Sequence, residues 1–152
     1  MRRSRSFSLL EIVIVLLLIS TIAGVSSCLL IPFYRSYQFQ AEVEAVYALA
    51  GELQIEALTL QSDMQLLVKQ EKGQWVVRSH SEEVALKPQR IELSHVETVA
   101  GGEESIVFYA NGQIEPKKVL TFQRGVERRG VDFRRPLLIK LWREDGTQKR
   151  GV

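Results

Sequence analysis

The chain has 152 residues, of which 45% are hydrophobic and 25% charged, and its formal net charge is +2 at pH 7. This length fits one domain of ordinary size and excludes a two-lobed catalytic architecture. The small net charge does not by itself indicate a polyanionic partner, and the single cysteine excludes an internal disulfide and a zinc cage built from cysteines.

These averages conceal an apolar segment near the N-terminus. Residues 12–34 form a run of 23 residues without a charged side chain. As an α-helix the run is roughly 34 Å long, enough to cross a hydrocarbon core of about 30 Å. Arg2, Arg3 and Arg5 precede it with no acid among the first six residues, which predicts a cytoplasmic N-terminus and an external remainder. The length of the run and the lack of a clear Ala-x-Ala exit favour a permanent anchor over a secretory signal.

Glu11 is the charged residue at the start of this run, with Leu9 and Leu10 before it and Ile12 after it. An acid well inside a bilayer costs about 2.5 to 3.5 kcal/mol on insertion scales, and such residues usually have a partner. The residues alone leave two interpretations open. Glu11 either lies at headgroup level and ends the anchor, or it has an assembly role.

The segment from Arg5 to Ile19 resembles the N-terminal motif of type IV pilins and of the pseudopilins of type II secretion. The shared features are a short basic leader, Phe7, Glu11 four residues later and an immediate apolar helix. The resemblance implies a prepilin peptidase that cuts between Ser6 and Phe7, where Ser6 replaces the Gly usual in the family, and N-methylation of Phe7. It also implies that Glu11 pairs with the new terminal amine of a neighbouring subunit. Such pairing neutralises two charges that are each unfavourable in an apolar core. The pair forms only when neighbouring subunits are correctly aligned, so it also sets the register between them.

A lipoprotein signal is the alternative interpretation of the same segment. Val25-Ser-Ser-Cys28 has the small residues that precede a lipidated cysteine, so Cys28 would become the first residue of a membrane-anchored binding module. Leu29, Leu30 and Ile31 follow, whereas a lipoprotein normally begins with a polar tether. We therefore expect Cys28 to be a small apolar residue within the helix.

Beyond Pro32, where a bend or interruption of the helix is expected, apolar residues recur at helical spacing. They are Val46, Ala50, Leu53, Ala57 and Leu60. This spacing predicts an amphipathic helix from about Phe39 to Leu60, continuous in direction with the anchor and with its apolar face on a sheet.

From Met64 the apolar period changes to that of strands. The predicted strands are Leu66–Val68, Gln74–Arg78, Arg90–Glu97, Ser105–Ala110, Lys118–Gln123 and Pro136–Trp142, with turns at Glu71–Gly73, Asn111–Gly112 and Glu144–Gly146. One helix followed by six to eight strands predicts an α+β fold, in which a long N-terminal helix with a transmembrane half and an amphipathic half precedes a small antiparallel β-sandwich.

The predicted boundaries divide the chain into four parts. They are a cleaved basic leader at 1–6, a transmembrane and assembly helix at 7–35, its amphipathic continuation at 36–62 and a β-rich globular domain at 63–152.

The strand region adds a second resemblance within the family. Ile106 to Gly112, a further β segment and Asp145-Gly146 are similar to the end of an H-type minor pseudopilin. The resemblance implies a structural subunit of a type II secretion pseudopilus that supports protein export. The implied partners are other pseudopilins in a hetero-oligomeric fibre, the prepilin peptidase, the membrane and the inner-membrane secretion platform. The implied location is the inner membrane, in a single pass with a cytoplasmic N-terminus and a periplasmic C-terminal domain. A minor type IV pilin for DNA uptake or adhesion is the alternative within the family.

Charge is unevenly distributed along the rest of the chain. Residues 36–115 hold thirteen acids and five bases, whereas residues 116–152 hold four acids and eleven bases. Five arginines lie around Gly125 and Gly130 and are interpreted as part of a loop between strands: Arg124, Arg128, Arg129, Arg134 and Arg135. They form either a solvated surface that complements the acidic half or a docking surface for an acidic neighbour or DNA. Because Phe133 is the only nearby aromatic residue, DNA is not expected as a partner.

Catalytic motifs are missing from the sequence. His80 and His95 have no second histidine or cysteine at ligand spacing, and Gly101-Gly102 is followed by two glutamates that would repel a phosphate. The prediction is a protein that is not an enzyme and has no cofactor and no metal.

Overall fold

The computed structural model describes residues 9–81, 88–102, 104–135 and 138–144, excluding the side chains of residues 27–29. Within these ranges the elements are α1 (Leu9–Leu60), β1 (Met64–Glu71), β2 (Gln74–Ser81), β3 (Arg90–Leu93), β4 (Thr98–Ala100), β5 (Ile106–Phe108), β6 (Ile114–Glu115), β7 (Val119–Arg124), β8 (Glu127–Asp132) and β9 (Lys140–Glu144). The chain divides into two units, Met1–Tyr37 and Gln38–Val152.

In the first unit, α1 is apolar on every side. All described side chains from residue 9 to 26 and from 30 to 35 are exposed. The hydroxyls of Ser20 and Thr21 donate to the carbonyls of Leu16 and Leu17, so these polar groups need no outside partner. One helix near the N-terminus is therefore long and apolar enough to span a membrane.

α1 continues through Pro32, so the helix is not interrupted there. A proline in a helix interior removes one N–H donor and favours a kink. The bend expected at this residue stays a prediction.

In the second unit, α1 buries one stripe of apolar side chains. Its members are Phe39, Val43, Val46, Leu49, Ala50, Leu53 and Ala57, each at most 3% exposed. The predicted amphipathic helix is confirmed, except that Leu60 is 44% exposed. Leu60 lies at the C-terminal cap: Gln61 has a φ of +53°, and the Ser62 N–H donates to the Ala57 carbonyl at 3.3 Å. This left-handed cap turns the chain toward β1, so the buried stripe ends one turn before Leu60.

All strand pairs are antiparallel and form two sheets. The five-stranded sheet has the order β3-β2-β1-β5-β6, and the four-stranded sheet has the order β4-β7-β8-β9. Buried residues of both sheets, such as Leu66 and Phe122, belong to one core cluster with the apolar stripe of α1. The predicted α+β class is confirmed, and two antiparallel sheets that share a core are in line with the predicted sandwich.

The two hairpins signalled by turn residues are present. β1 and β2 pair from Met64↔Ser81 to Glu71↔Gln74, joined by Lys72 and Gly73, which both have positive φ. Asn111-Gly112 lies in the connection from β5 to β6, where Gly112 has a φ of +84°. Glycine is favoured at such positions because it has no Cβ.

Other strands differ from the prediction. The described residues contain nine strands instead of six to eight, and β4, β6 and β8 were not predicted. β3 ends at Leu93 instead of Glu97, because the N–H groups of the next two residues bond a side chain of α1. In the last predicted strand, β9 begins at Lys140, and residues 136–137 and 145–146 lie outside the described residues.

Gly130 in β8 is held against the indole of Trp142 in β9. A Cβ at residue 130 would lie within 2.8 Å of Trp142 Cζ2 and would overlap the rest of the indole. We expect Gly130→Ala to displace Trp142 and lower the free energy of unfolding by about 1 to 3 kcal/mol. Urea unfolding of the full chain in detergent micelles, followed by tryptophan fluorescence, measures this change.

Gly51→Ala is the matched control for that substitution. Gly51 lies within α1, and no atom lies within 4 Å of a Cβ placed there. Alanine should therefore stabilise the helix by up to about 1 kcal/mol. Equal effects of the two substitutions would contradict a specific contact between Gly130 and Trp142.

Candidate functional site

Glu11 lies in the first turn of α1, where its side chain is exposed among apolar neighbours. Leu10 and Ile12 beside it are 67% and 50% exposed. Toward the C-terminus the next basic residue is Arg35, which is 24 residues away and therefore about 36 Å along the helix. No residue in the described part of the chain forms an ion pair with Glu11. If this segment enters an apolar environment, its carboxylate needs a cation or a hydrogen-bond donor from elsewhere.

Ser6 and Phe7, the residues expected at the leader cleavage and methylation site, lie outside the described residues. The side chain of Cys28 does as well, although its backbone belongs to α1.

The surface around Glu11 is a helix with no buried face of its own. Large apolar side chains from Leu9 to Ile31 are between 47% and 81% exposed. A helix that is hydrophobic all round is stable only when lipid or other apolar helices cover it. The arrangement can insert into a bilayer, associate with similar helices, and place one carboxylate in that environment.

The five arginines expected in one loop belong to several elements. Arg124 ends β7, Arg128 and Arg129 lie in β8, and Arg134 and Arg135 follow β8. The predicted loop around Gly130 is wrong, because β8 pairs with β7 on one side and β9 on the other. The loop is restricted to the turn at Gly125-Val126, where Val126 is 92% exposed.

Arg129 does not contribute to a docking surface. It is only 8% exposed, and its guanidinium donates to Gln40 Oε1 at 2.9 Å. Gln40 Nε2 in turn donates to Glu44 Oε1 at 2.7 Å. The neutral amide thus links the buried cation to the exposed carboxylate of Glu44 on α1.

Two further arginines are engaged by acids. Arg134 donates to both carboxylate oxygens of Asp132, with a shortest distance of 2.6 Å, and Arg128 lies 3.6 Å from Glu144. Within the described residues, Arg124 and Arg135 make no ion pair. The five side chains therefore do not combine into one cationic surface, which weakens the docking interpretation.

The fork between Arg134 and Asp132 changes the acid's titration. The hydrogen bonds from Arg134 lower the pKa of Asp132 from its usual 3.8 to about 2, although partial burial opposes the shift. A lowered pKa in the folded state stabilises the fold fully above pH 3.8, and this contribution is lost as the pH falls toward 2.

Asp132→Asn should therefore destabilise the protein at pH 7 and not at pH 2. The Arg134 side chain is 64% exposed, so solvent screens the pair and we expect only about 1 kcal/mol at pH 7. Urea unfolding of the full chain in micelles at both pH values measures the difference. Arg124→Ala is the control and should change stability equally little at both; a difference for Asp132→Asn that persists at pH 2 would contradict the assignment.

Glu42 joins α1 to the connection between β3 and β4. Its Oε1 accepts the Ser94 N–H at 3.0 Å, its Oε2 accepts the His95 N–H at 2.9 Å, and His95 Nδ1 lies 2.8 Å from Oε1. We name this set the Glu42 clamp. Sequence analysis missed it, since 53 residues separate Glu42 from His95 and no local pattern connects them.

Removal of the clamp should destabilise the second unit. Glu42→Ala leaves two backbone N–H groups without an acceptor, which we expect to cost about 1 to 3 kcal/mol. Glu42→Gln keeps one acceptor oxygen and should cost less. Glu56→Ala is the control, because Glu56 has no hydrogen bond or ion pair to a described residue, and its effect should stay within about 0.5 kcal/mol. Urea unfolding compares the three variants, and equal costs for Glu42→Ala and Glu56→Ala would refute the clamp.

An open groove of about 390 Å³ lies beside α1 in the second unit. Tyr47, Gly51, Gln54 and Leu58 of the helix line it together with Leu138 and Ile139. Gln54 is 8% exposed, and its Nε2 has no hydrogen-bond partner. Most of the side chains that line the groove are apolar, and Gln54 adds one buried amide donor.

Metal ligation has no candidate in the part of the chain that the structure describes. No group of three or more His, Cys, Asp or Glu side chains there is placed to hold a metal ion. His95 belongs to the Glu42 clamp, and His80 is exposed on β2.

Comparisons with protein-family models, curated proteins and solved structures found no match to this chain. The layout of a long apolar N-terminal helix followed by a small β-sheet unit is compatible with pilin-like proteins.

Proposed function

We propose that this chain is a membrane-anchored assembly subunit of a pilin-like fibre, of the minor pseudopilin kind, that supports protein export. In this proposal α1 holds the subunit in the inner membrane and then packs with similar helices of other pseudopilins. The second unit is carried on the external side. The role is structural, and the chain itself has no catalytic function.

The exposed carboxylate of Glu11 in an apolar helix carries the proposal. In a simple anchor this charge lies at headgroup level and needs no partner, whereas a helix that carries it into an apolar environment meets an energetic penalty. A subunit that is cut after Ser6 has a use for this charge, because its neighbour then presents a terminal ammonium group. Two charges that are each costly in an apolar core offset one another when they are paired.

The second unit supports the same proposal through its independence from the anchor. Its described core uses α1 from Phe39 onward, whereas the described side chains of residues 9–26 and 30–35 are exposed and can meet lipid or other subunits. A protein whose N-terminal segment can exchange lipid for helix contacts, without unfolding its globular unit, fits transfer from a membrane into a fibre.

Substitution of Glu11 tests the assembly role. Glu11→Leu should leave membrane insertion intact and reduce the fraction recovered with a fibre by about tenfold, because one unpaired ammonium then stays in the apolar core. Thr21→Val is the matched control, since that hydroxyl bonds its own helix and should be dispensable. The measurement is membrane fractionation followed by cross-linking and shearing of fibres in cells with the complete machinery. Normal assembly of Glu11→Leu would refute the role of Glu11.

The intact mass of the protein extracted from membranes tests the processing that the proposal requires. A chain that begins at Phe7 with one added methyl group supports it. A chain that begins at a lipidated Cys28 supports the lipoprotein alternative and refutes the pilin assignment. An uncut chain that begins at Met1 leaves a simple anchor.

A further inference from the structure

The edge of the four-stranded sheet at β9 carries an inference that is independent of the proposed function. Each sheet has two edge strands, and within the described residues these are β3 and β6 in one sheet and β4 and β9 in the other. β9 has five residues, whereas β3 has four, β4 three and β6 two. Short edges offer few unpaired backbone groups, so β9 is the edge best able to accept another strand.

The side chains of β9 alternate between two faces. Leu141 lies opposite the buried Val131 and packs against the core. Because successive strand residues point to opposite faces, Lys140, Trp142 and Glu144 share the other face. Lys140 and Glu144 are exposed at the two ends of the strand, and the partly buried Trp142 lies at its centre.

This distribution of charge is complementary to itself. When Lys-Leu-Trp-Arg-Glu is laid antiparallel to a second copy about Trp142, each Lys140 faces a Glu144 and Trp142 faces Trp142. A slip that keeps Lys140, Trp142 and Glu144 on one face shifts the register by two residues, which places Lys140 opposite Trp142 in one direction and Glu144 opposite Trp142 in the other. Directly opposite side chains of antiparallel strands are about 5 Å apart, so only the centred register forms both ion pairs.

From the open edge and this complementarity, we propose that β9 is a homodimer surface on which a second copy of this chain adds its own β9. The two four-stranded sheets then form one continuous eight-stranded sheet about a two-fold axis at Trp142. A two-fold interface uses the same surface on both subunits, so each positive residue must face a negative residue of the other copy. Lys140 and Glu144 meet this condition, because they face each other when the two strands run antiparallel. Charged residues on an edge strand also serve to keep it solvated, in which case the chain stays monomeric at this edge.

Mixed cysteine cross-linking tests the register directly. The full chain in detergent micelles carries Cys28→Ser, so that the only thiol is the one introduced. Chains with Lys140→Cys mixed with chains with Glu144→Cys should form a disulfide-linked dimer on oxidation. Each variant alone should not, because residue 140 of one copy lies about 13 Å along the strand from residue 140 of the other. Equal cross-linking of the single-variant samples, or none in the mixture, would overturn the register.

Charge reversal provides a second test that separates the dimer from the fold. Lys140→Glu or Glu144→Lys should weaken the dimer by about tenfold or more, because each places two like-charge pairs in the interface. The double variant should restore it, since the pairs then re-form with their signs exchanged. Within one copy, Glu144 lies 3.6 Å from Arg128 and Lys140 stands opposite Asp132, so the double variant disturbs that ion pair and places a second acid opposite Asp132. If the double variant dimerises despite that disturbance, the proposal is supported. If it dimerises more weakly than either single variant, the proposal is refuted.

Sedimentation in micelles measures the dimer fraction, and urea unfolding of the same samples monitors the fold. A dimer that persists unchanged through all reversals is held by another surface, such as the apolar helix, and overturns the role of β9. Neither experiment depends on Glu11 or on cleavage after Ser6, so the result leaves the proposed function to its own test.

Discussion

The buried stripe of α1 from Phe39 to Ala57 is the contact on which the rest of the structure depends. Two antiparallel sheets each have an apolar face, and the described residues provide one helix against which those faces share a core. The burial of large side chains such as Phe39 supplies the main stabilising contribution in a unit of this size. The stripe begins at Phe39, whereas the described side chains of residues 9–26 and 30–35 are exposed, and one element therefore meets two different environments.

Polar contacts at the edge of this core fix where the segments lie more than they add to the free energy of unfolding. The Glu42 clamp and the buried guanidinium of Arg129 on Gln40 each connect α1 to a distant part of the chain, whereas the fork between Arg134 and Asp132 is local, because its partners are two residues apart. A buried charge or N–H is expensive when unpaired, so each contact disfavours alternative placements of its segment. The consequence is that three of the five arginines considered for docking have partners within the described residues, and the proposed assembly role therefore depends on the exposed apolar helix with Glu11.

Elements with a strong local signal were predictable from the sequence. The stripe of α1 follows the helical period, and the hairpin of β1 and β2 follows from apolar runs around Lys72-Gly73. β8 was not predictable, because Glu-Arg-Arg-Gly-Val-Asp has no apolar alternation and only Val131 as a β-forming residue. It is a strand because β7 and β9 pair with both of its edges. Tertiary contacts likewise end β3 at Leu93, since Glu42 takes the next N–H groups. Of the candidate site, Glu11 was evident from its apolar surroundings, whereas the partners of the arginines depend on strand register and could not be inferred.

The link between Glu42 and residues 94–95 also affects how the molecule fluctuates. The connection between β3 and β4 has few ladder hydrogen bonds, so by itself it would open often and exchange its amide hydrogens rapidly. Because the amides of Ser94 and His95 donate to a carboxylate on α1, they exchange their hydrogens only when these hydrogen bonds break. Helix and connection therefore behave as one cooperative unit, and a solvent-facing loop acquires part of the protection of the hydrophobic interior.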